Sequence, residues 1–282
     1  MKKFFVMLLT LMMGIGCIGF VGCSGSGKET LNVYTNAGFA PYEYVNEFGE
    51  VVGVDIDIMK EVGEVLGYNV VINDIDFDQI LVEVAKDELA IGAAGMTKKE
   101  SRDAVALSTI SYATSVQYVI VPTGTFDADD LVDGKLAVSK LAELSNKAIG
   151  VQEGTTGDWL IADAISGVDS EDEEGNPVHI TGDLENSGAT SLLYKNAIVA
   201  GEDIGTTLGA VVIDKLPAQS IAGASNGALE AIELDAEPES YVIYCNKAAT
   251  ALVEDINKVL DAMIKGGVID YYTLKHSGGI VG

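Results

Sequence analysis

The residues best suited to chemistry in this chain fall in four short segments. Met96-Thr97 is followed five residues later by Arg102, whose planar fork of N–H donors suits a carboxylate. Gly150-Val151-Gln152-Glu153-Gly154-Thr155-Thr156-Gly157 offers Thr155 and Thr156 hydroxyls, and free N–H groups if a helix begins there, to the same kind of anion. Asp214 closes the apolar run Gly209–Ile213 and can pair an ammonium. Asn36 and Phe39 stand in Asn36–Tyr44, and a second aromatic, Phe77, follows another apolar stretch. Singly, each has a plainer reading: Arg102 as a surface ion pair, Gly-Thr-Thr as a helix cap, Phe39 and Phe77 as core aromatics. Together, a cation, an anion-binding helix end and an opposing carboxylate are what a zwitterion requires.

The elements that must position them alternate. Leu31–Thr35 reads as a strand. A helix follows Gly53, with Ile58, Val62, Val65 and Leu66 on one face and Gly67 where a left-handed glycine would end it. Val70–Ile72 is a strand, Asp78 can cap a helix carrying Ile80, Leu81 and Val84, and Ala90–Ala94 is a strand of small residues. Strand-helix-strand-helix-strand in so short a span implies parallel pairing. The pattern restarts with Gln117–Val121, then Ala148–Val151 and Gly209–Ile213. Tyr241–Tyr244 is a late strand, and a helix with Leu252, Ile256, Val259, Leu260, Met263 and Ile264 on one face stops at Gly266-Gly267. All four segments lie where open α/β sheets bind ligands, at the carboxyl ends of strands.

Composition removes competing classes. The 282 residues carry 17 Lys and Arg against 43 Asp and Glu, a net charge of −26, which repels nucleic acid and anionic lipid. Hydrophobic residues make up 48% and charged ones 21%, so a folded core is available. Cys245 is the only cysteine beyond residue 23, and His179 and His276 are the only histidines. Disulfides, zinc clusters and Ser-His-Asp triads are therefore poorly supplied, and neither a metal nor a cofactor is expected. The acidic run Asp169–Pro177 lacks EF-hand spacing and reads as a solvated loop.

At the other end, Met1-Lys2-Lys3 precedes the uncharged stretch Phe4–Val21, long enough to be a retained anchor. Gly14, Gly16 and Gly19 interrupt it, and a flexible Ser24–Lys28 tether follows, which favours cleavage. Phe20-Val21-Gly22-Cys23 resembles the bacterial lipoprotein processing box, with Phe20 where Leu is usual. That resemblance implies a signal peptide over 1–22, lipid attachment at Cys23 and a tether over 23–29.

From Thr30 to Tyr272 the chain resembles the bacterial extracellular solute-binding proteins of family 3, the polar amino-acid binders of ABC importers. Gly53-Val54-Asp55-Ile56-Asp57-Ile58 is similar to the family's Gly-aromatic-Asp-Ile-Asp-Leu signature, with Val54 a departure. Met96–Arg102 matches Met-Thr-x-x-x-x-Arg, Ile149–Thr156 matches Ile-Gly-Val-Gln-x-Gly-Thr-Thr, and Gly209–Asp214 with Pro217 matches Asp-Ala-Val-Val-x-Asp. The resemblance implies an α/β clamshell of type II, its two lobes joined by two strands crossing near Val119–Thr123 and Glu233–Glu239. Lobe 1 would be 30–120 plus 239–282, and lobe 2 would be 124–233. It further implies that Arg102, Thr97 and Thr156 hold a ligand carboxylate, that Asp214 and the Gly95 carbonyl hold its ammonium, and that Phe39 and Phe77 flank its side chain. Asn36 stands where members that bind basic amino acids tend to have Asp, which favours a neutral or polar ligand. Leu107–Tyr112 lacks the usual aromatic-Ser-x-Pro-Tyr ending, and Gly182–Gly209 is longer than the family leads one to expect.

The expected partners are a free amino acid and an ABC permease, with the protein a lipid-anchored, extracytoplasmic monomer and not an enzyme. Two alternatives remain: an enzyme on the same fold, similar to cyclohexadienyl dehydratase, with Glu43 or Glu153 as its acid or base, and a sensory binding protein without a permease.

Overall fold

The computed structural model describes residues 27–172 and 174–278, so the leader and Cys23 lie outside the described residues. Two five-stranded mixed sheets form two α/β lobes. In the first, Thr30–Thr35 pairs in parallel with Asn69–Asp74 on one side and Ala90–Gly92 on the other, and Tyr244–Cys245 and then Leu107–Ser108 complete it antiparallel. The second repeats the scheme. Ala148–Gln152 lies in parallel between Thr190–Tyr194 and Ala210–Asp214, while Gln117–Pro122 runs antiparallel to Ala210–Asp214 and to Leu229–Glu233.

The core follows from which faces are apolar. Helix Val54–Leu66 buries Val54, Ile56, Ile58, Met59 and Val62 against the first sheet and is stopped by Gly67 at φ 83°, as expected, although Val65 faces solvent. Helix Thr250–Lys265 buries Leu252, Val253, Ile256, Val259, Leu260 and Met263 beside it, with Ile264 exposed. A further helix, Val268–His276, packs on both; it has little apolar periodicity and gave no sequence signal. The second lobe has its own core of Val119, Val121, Leu136, Leu141, Ile149, Val151, Ile161 and Val212.

The crossings differ from expectation at the first site. Gln117–Pro122 belongs to the second sheet, and the joining ribbon is Ala113–Ser115 paired antiparallel with Glu239–Tyr241. The apolar run Tyr118–Val121 suits a sheet interior, whereas Ala113-Thr114-Ser115 has no apolar signature and takes its strand form from pairing with Glu239–Tyr241. Ala113–Ser115 precedes the second sheet, and the return passes from Glu233 through Leu234 to Tyr241.

Three local expectations also change. Asp78 does not cap a helix; helix Ile80–Val84 continues a 3₁₀ turn, Phe77–Gln79, and the Asp78 carboxylate binds Lys195 instead. Asp169–Pro177 is not a plain loop, because Val168–Glu171 and Pro177–Ile180 form an exposed antiparallel hairpin. Tyr241–Tyr244 divides between the joining ribbon and the first sheet. The long segment 182–209 supplies the edge strand Thr190–Tyr194 and helix Ala197–Glu202.

Among the described residues, no helix is long and apolar enough to cross a membrane.

Candidate functional site

The parallel strands of both sheets end at one cleft. Asn36, Phe77 and Gly95 follow three strands of lobe 1, while Gln152 and Asp214 end two strands of lobe 2. Asn36, Phe39, Phe77, Gly95, Thr97, Arg102, Thr155, Thr156 and Asp214 all line a single pocket there, joined by Glu43, Ala94 and Gln152. All nine sequence-predicted ligand residues therefore meet, although the first and last stand 178 residues apart in the chain.

Arg102 comes from the short helix Glu100–Asp103 and is 5% exposed. Nη1 donates to the Thr97 carbonyl at 2.8 Å, and Nη2 reaches across to the Gly154 carbonyl of the other lobe at 3.1 Å. Phe77 and Trp159 stand against the guanidinium, 5.4 and 5.0 Å from Cζ to the ring centroids. Burial draws its pKa down from the usual arginine value. Two of five N–H donors are committed, so the rest of the fork is available to an anion.

The opposite end of the pocket is acidic. Asp214 ends its strand and precedes helix Lys215–Ala224; its Oδ1 is buried with no hydrogen-bond partner. Burial and the nearby Glu239 carboxylate push it up to about 7, against the opposing pull of Tyr241, Ser115 and Gln117 close beside it. Glu43 is 1% exposed, its Oε2 is likewise unpartnered, and burial followed by Asp55 and Asp214 raises it well above the usual carboxylate range. Asp55, by contrast, accepts from the Gly95 N–H at 2.8 Å and from the Tyr112 hydroxyl at 2.7 and 2.8 Å, although burial still lifts it to about 6. Those bonds pin the Gly95 turn. At φ 54°, and with an added Cβ only 2.7 Å from Phe39 Cε1, residue 95 has room for glycine alone.

The threonines are placed differently from the simplest expectation. Thr155 caps helix Thr156–Ser166: its Oγ1 accepts from the Asp158 N–H at 3.3 Å and donates to the Gln152 carbonyl at 2.7 Å. Thr97 and Thr156 hydroxyls both donate to Glu239 Oε2 on the joining ribbon, and Gln117 Nε2 donates to its Oε1 at 2.8 Å. Glu239 thus ties lobe 1, lobe 2 and the hinge at one point behind the site. Sequence reasoning gave it no role, because it stands over eighty residues from Thr156 and no local spacing announces it.

The two lobes are closed on each other. Gln152 Nε2 donates to Asn36 Oδ1 at 2.8 Å, while Asn36 Nδ2 donates to the Ile75 carbonyl at 2.7 Å. At the rim, Lys195 bonds Asp78 and Glu153, each at 2.8 Å, with Asp76 at 3.6 Å. Glu153 is consequently a rim residue rather than part of the pocket lining. Among the described residues, no group of three or more His, Cys, Asp or Glu side chains is arranged to hold a metal ion.

Residues 31–278 match the bacterial extracellular solute-binding proteins, family 3. The chain is 30% identical over 106 residues to the probable ABC transporter arginine-binding protein ArtJ of Chlamydia trachomatis, covering 38% of this chain and 40% of that one. It is 23% identical over 289 residues to a probable histidine-binding protein of Neisseria gonorrhoeae, covering 98% and 96%. An ancestral arginine-binding protein solved with arginine superposes at a TM-score of 0.72 and 25% identity, over 88% of this chain and 98% of that one.

Proposed function

The chain belongs to the bacterial extracellular solute-binding proteins, family 3, and from that membership we propose that it captures a free amino acid between its lobes for an ABC importer. One observation carries the reading: Arg102, with uncommitted N–H donors, and Asp214, with a buried unpartnered oxygen, line one interlobe pocket. The guanidinium takes the α-carboxylate, assisted by the N-terminal turn at Thr156, and Asp214 with the Gly95 carbonyl takes the α-ammonium. Phe39 and Phe77 flank the side chain. The pocket draws on both lobes, so a ligand stabilises the closed arrangement, and that shape is what a permease distinguishes from the open one. Binding is the whole task, with no bond made or broken.

For the ligand side chain we favour a neutral or polar group. Asn36 carries no charge, and both ends of its amide are already engaged, with Ile75 and Gln152. A second reading, a cationic side chain, is favoured by the unpartnered carboxylate of Glu43 and accords with the arginine and histidine named for the relatives. A buried Glu43 carboxyl, its pKa raised by burial, is also where a dehydratase-like enzyme would place its acid; incubation with arogenate or prephenate, followed by product detection, tests that alternative.

The protein acts as a monomer held at the outer face of a membrane through lipid on Cys23, with residues 23–29 as tether. Cys23→Ala should release it from the membrane fraction, and continued attachment would make Phe4–Val21 the anchor. The binding reading is tested by a thermal-shift screen against the twenty amino acids. Ligand at one hundred times Kd adds about 2.7 kcal/mol, a shift of several degrees. A response to neutral or polar members supports the first reading and a response confined to Arg, Lys or His the second. Silence from folded, ligand-free protein opposes both and leaves the sensory alternative.

A further inference from the structure

Trp159 is the single tryptophan of the sequence and had no part in the expectations drawn from it. It stands on the first turn of helix Thr156–Ser166, in lobe 2, yet its ring lies 5.0 Å from Cζ of Arg102, which belongs to lobe 1. Phe77 of lobe 1 offers a second ring to the same guanidinium at 5.4 Å. Lobe 2 therefore touches Arg102 twice, through the Trp159 face and through the Gly154 carbonyl that accepts from Nη2.

These contacts are of a particular kind. An indole face attracts a guanidinium electrostatically and excludes water without taking up an N–H donor. Both rings stand against a cation whose burial lowers its pKa, and they leave the free part of its fork its directions. Separation of the lobes withdraws both the Trp159 ring and the Gly154 carbonyl. Phe77 and the Thr97 carbonyl, from lobe 1, remain.

We propose that Trp159 is a positioning residue of the anion site, completing the aromatic setting of Arg102 only when the lobes close, so that carboxylate capture and closure are one coupled event. This rests on the reading of Arg102 as the carboxylate anchor. The coupling makes Trp159 act on the dissociation rate, because its contact is formed in the closed complex and absent from the encounter. It also makes Trp159 sharpen the preference for a free carboxylate over an amide, since a dry, fixed fork gains most from a charged partner.

The test uses the full chain, its Trp159→Ala, Trp159→Phe and Arg102→Ala variants, the twenty amino acids, and the α-amide of whichever binds. Calorimetry gives affinity, stopped-flow gives dissociation, and emission with acrylamide quenching reports Trp159 itself. Trp159→Ala is expected to weaken binding about tenfold, almost wholly through faster dissociation, with Trp159→Phe recovering most of the loss. The preference for amino acid over α-amide should shrink in Trp159→Ala, an effect that a packing role alone would not produce. Affinity and dissociation within twofold of wild type in Trp159→Ala would overturn the proposal. A spectroscopic arm stands apart: a saturating amino acid should change the emission and acrylamide quenching of Trp159 in wild type and not in Arg102→Ala, and unchanged wild-type spectra overturn the closure-dependent stack. Wild-type protein that binds none of the twenty defeats the amino-acid reading and, with it, the coupling.

Discussion

Replacing Asp214 by Asn should make the empty protein more stable and the binding protein useless. Burial raises this carboxyl from an ordinary value near 3.8 to about 7. The folded chain then holds a proton that the unfolded chain has released, so folding is favoured on the acid side and loses that advantage as pH rises from about 4 to about 7. A rise of about three pH units at ~1.4 kcal/mol each gives at most about 4 kcal/mol of strain in the ionised empty state. An Asn amide removes the charge but leaves a buried polar group, which costs about 1–3 kcal/mol. The net expectation at pH 8 is a gain of about 1–3 kcal/mol, read as a melting temperature higher by about 2–4 °C for each kcal/mol. Binding moves the other way. A proton competes with the ligand ammonium for Asp214, so wild-type affinity should fall about thirtyfold between pH 8 and pH 5.5, while Asp214→Asn should bind weakly at both. Thermal melts without ligand and calorimetric titrations with a binding amino acid, each at the two pH values, give all four numbers. A variant that is less stable than wild type at pH 8, or one that still binds at wild-type affinity, would refute the reasoning.

Other side chains give separate expectations. Arg102→Ala should cost about 2–5 kcal/mol in binding, measured by calorimetry, because the ligand carboxylate loses its partner. It should also lower stability by about 1–3 kcal/mol in denaturant titrations, since the Thr97 and Gly154 carbonyls lose their donor. Gly95→Ala introduces a Cβ 2.7 Å from Phe39 in a left-handed backbone. It should lower stability by about 1–2 kcal/mol and weaken binding through displaced Phe39, both visible in melts with and without amino acid. Gln152→Ala breaks the bond from lobe 2 to Asn36, so the closed complex should open faster, with dissociation raised about two- to tenfold in stopped-flow.

Much of this arrangement was legible because strand ends carry it. Apolar runs such as Val211–Ile213 mark sheet interiors, and the polar residue closing the run stands at the cleft, as Asp214 does; Gln152 ends Ala148–Gln152 in the same way but was not singled out. Gly67 likewise announces its own helix end by backbone conformation. What escaped was long-range. Glu239 meets Thr97 and Thr156 only because the joining ribbon returns behind the cleft, and Trp159 meets Arg102 only because the lobes close. Asp78 shows the same limit from the other side. Its local sequence suits a cap, but Lys195 from the other lobe offers a charged partner, and the backbone enters the helix through a 3₁₀ turn instead. The first crossing was displaced because Ala113–Ser115 is held by hydrogen bonds to Glu239–Tyr241, which leave no mark in hydrophobic patterning.

The central claim is that Arg102 and Asp214 together hold the two ends of an amino acid. Its most direct test is calorimetric titration of ligand-free protein with the twenty amino acids, and then with the α-amide and the N-acetyl form of whichever binds best. One-site binding of the parent amino acid, with both blocked forms weakened at least about thirtyfold, is predicted. Equal affinity for parent and blocked forms, or no heat with any amino acid from folded protein, would contradict it.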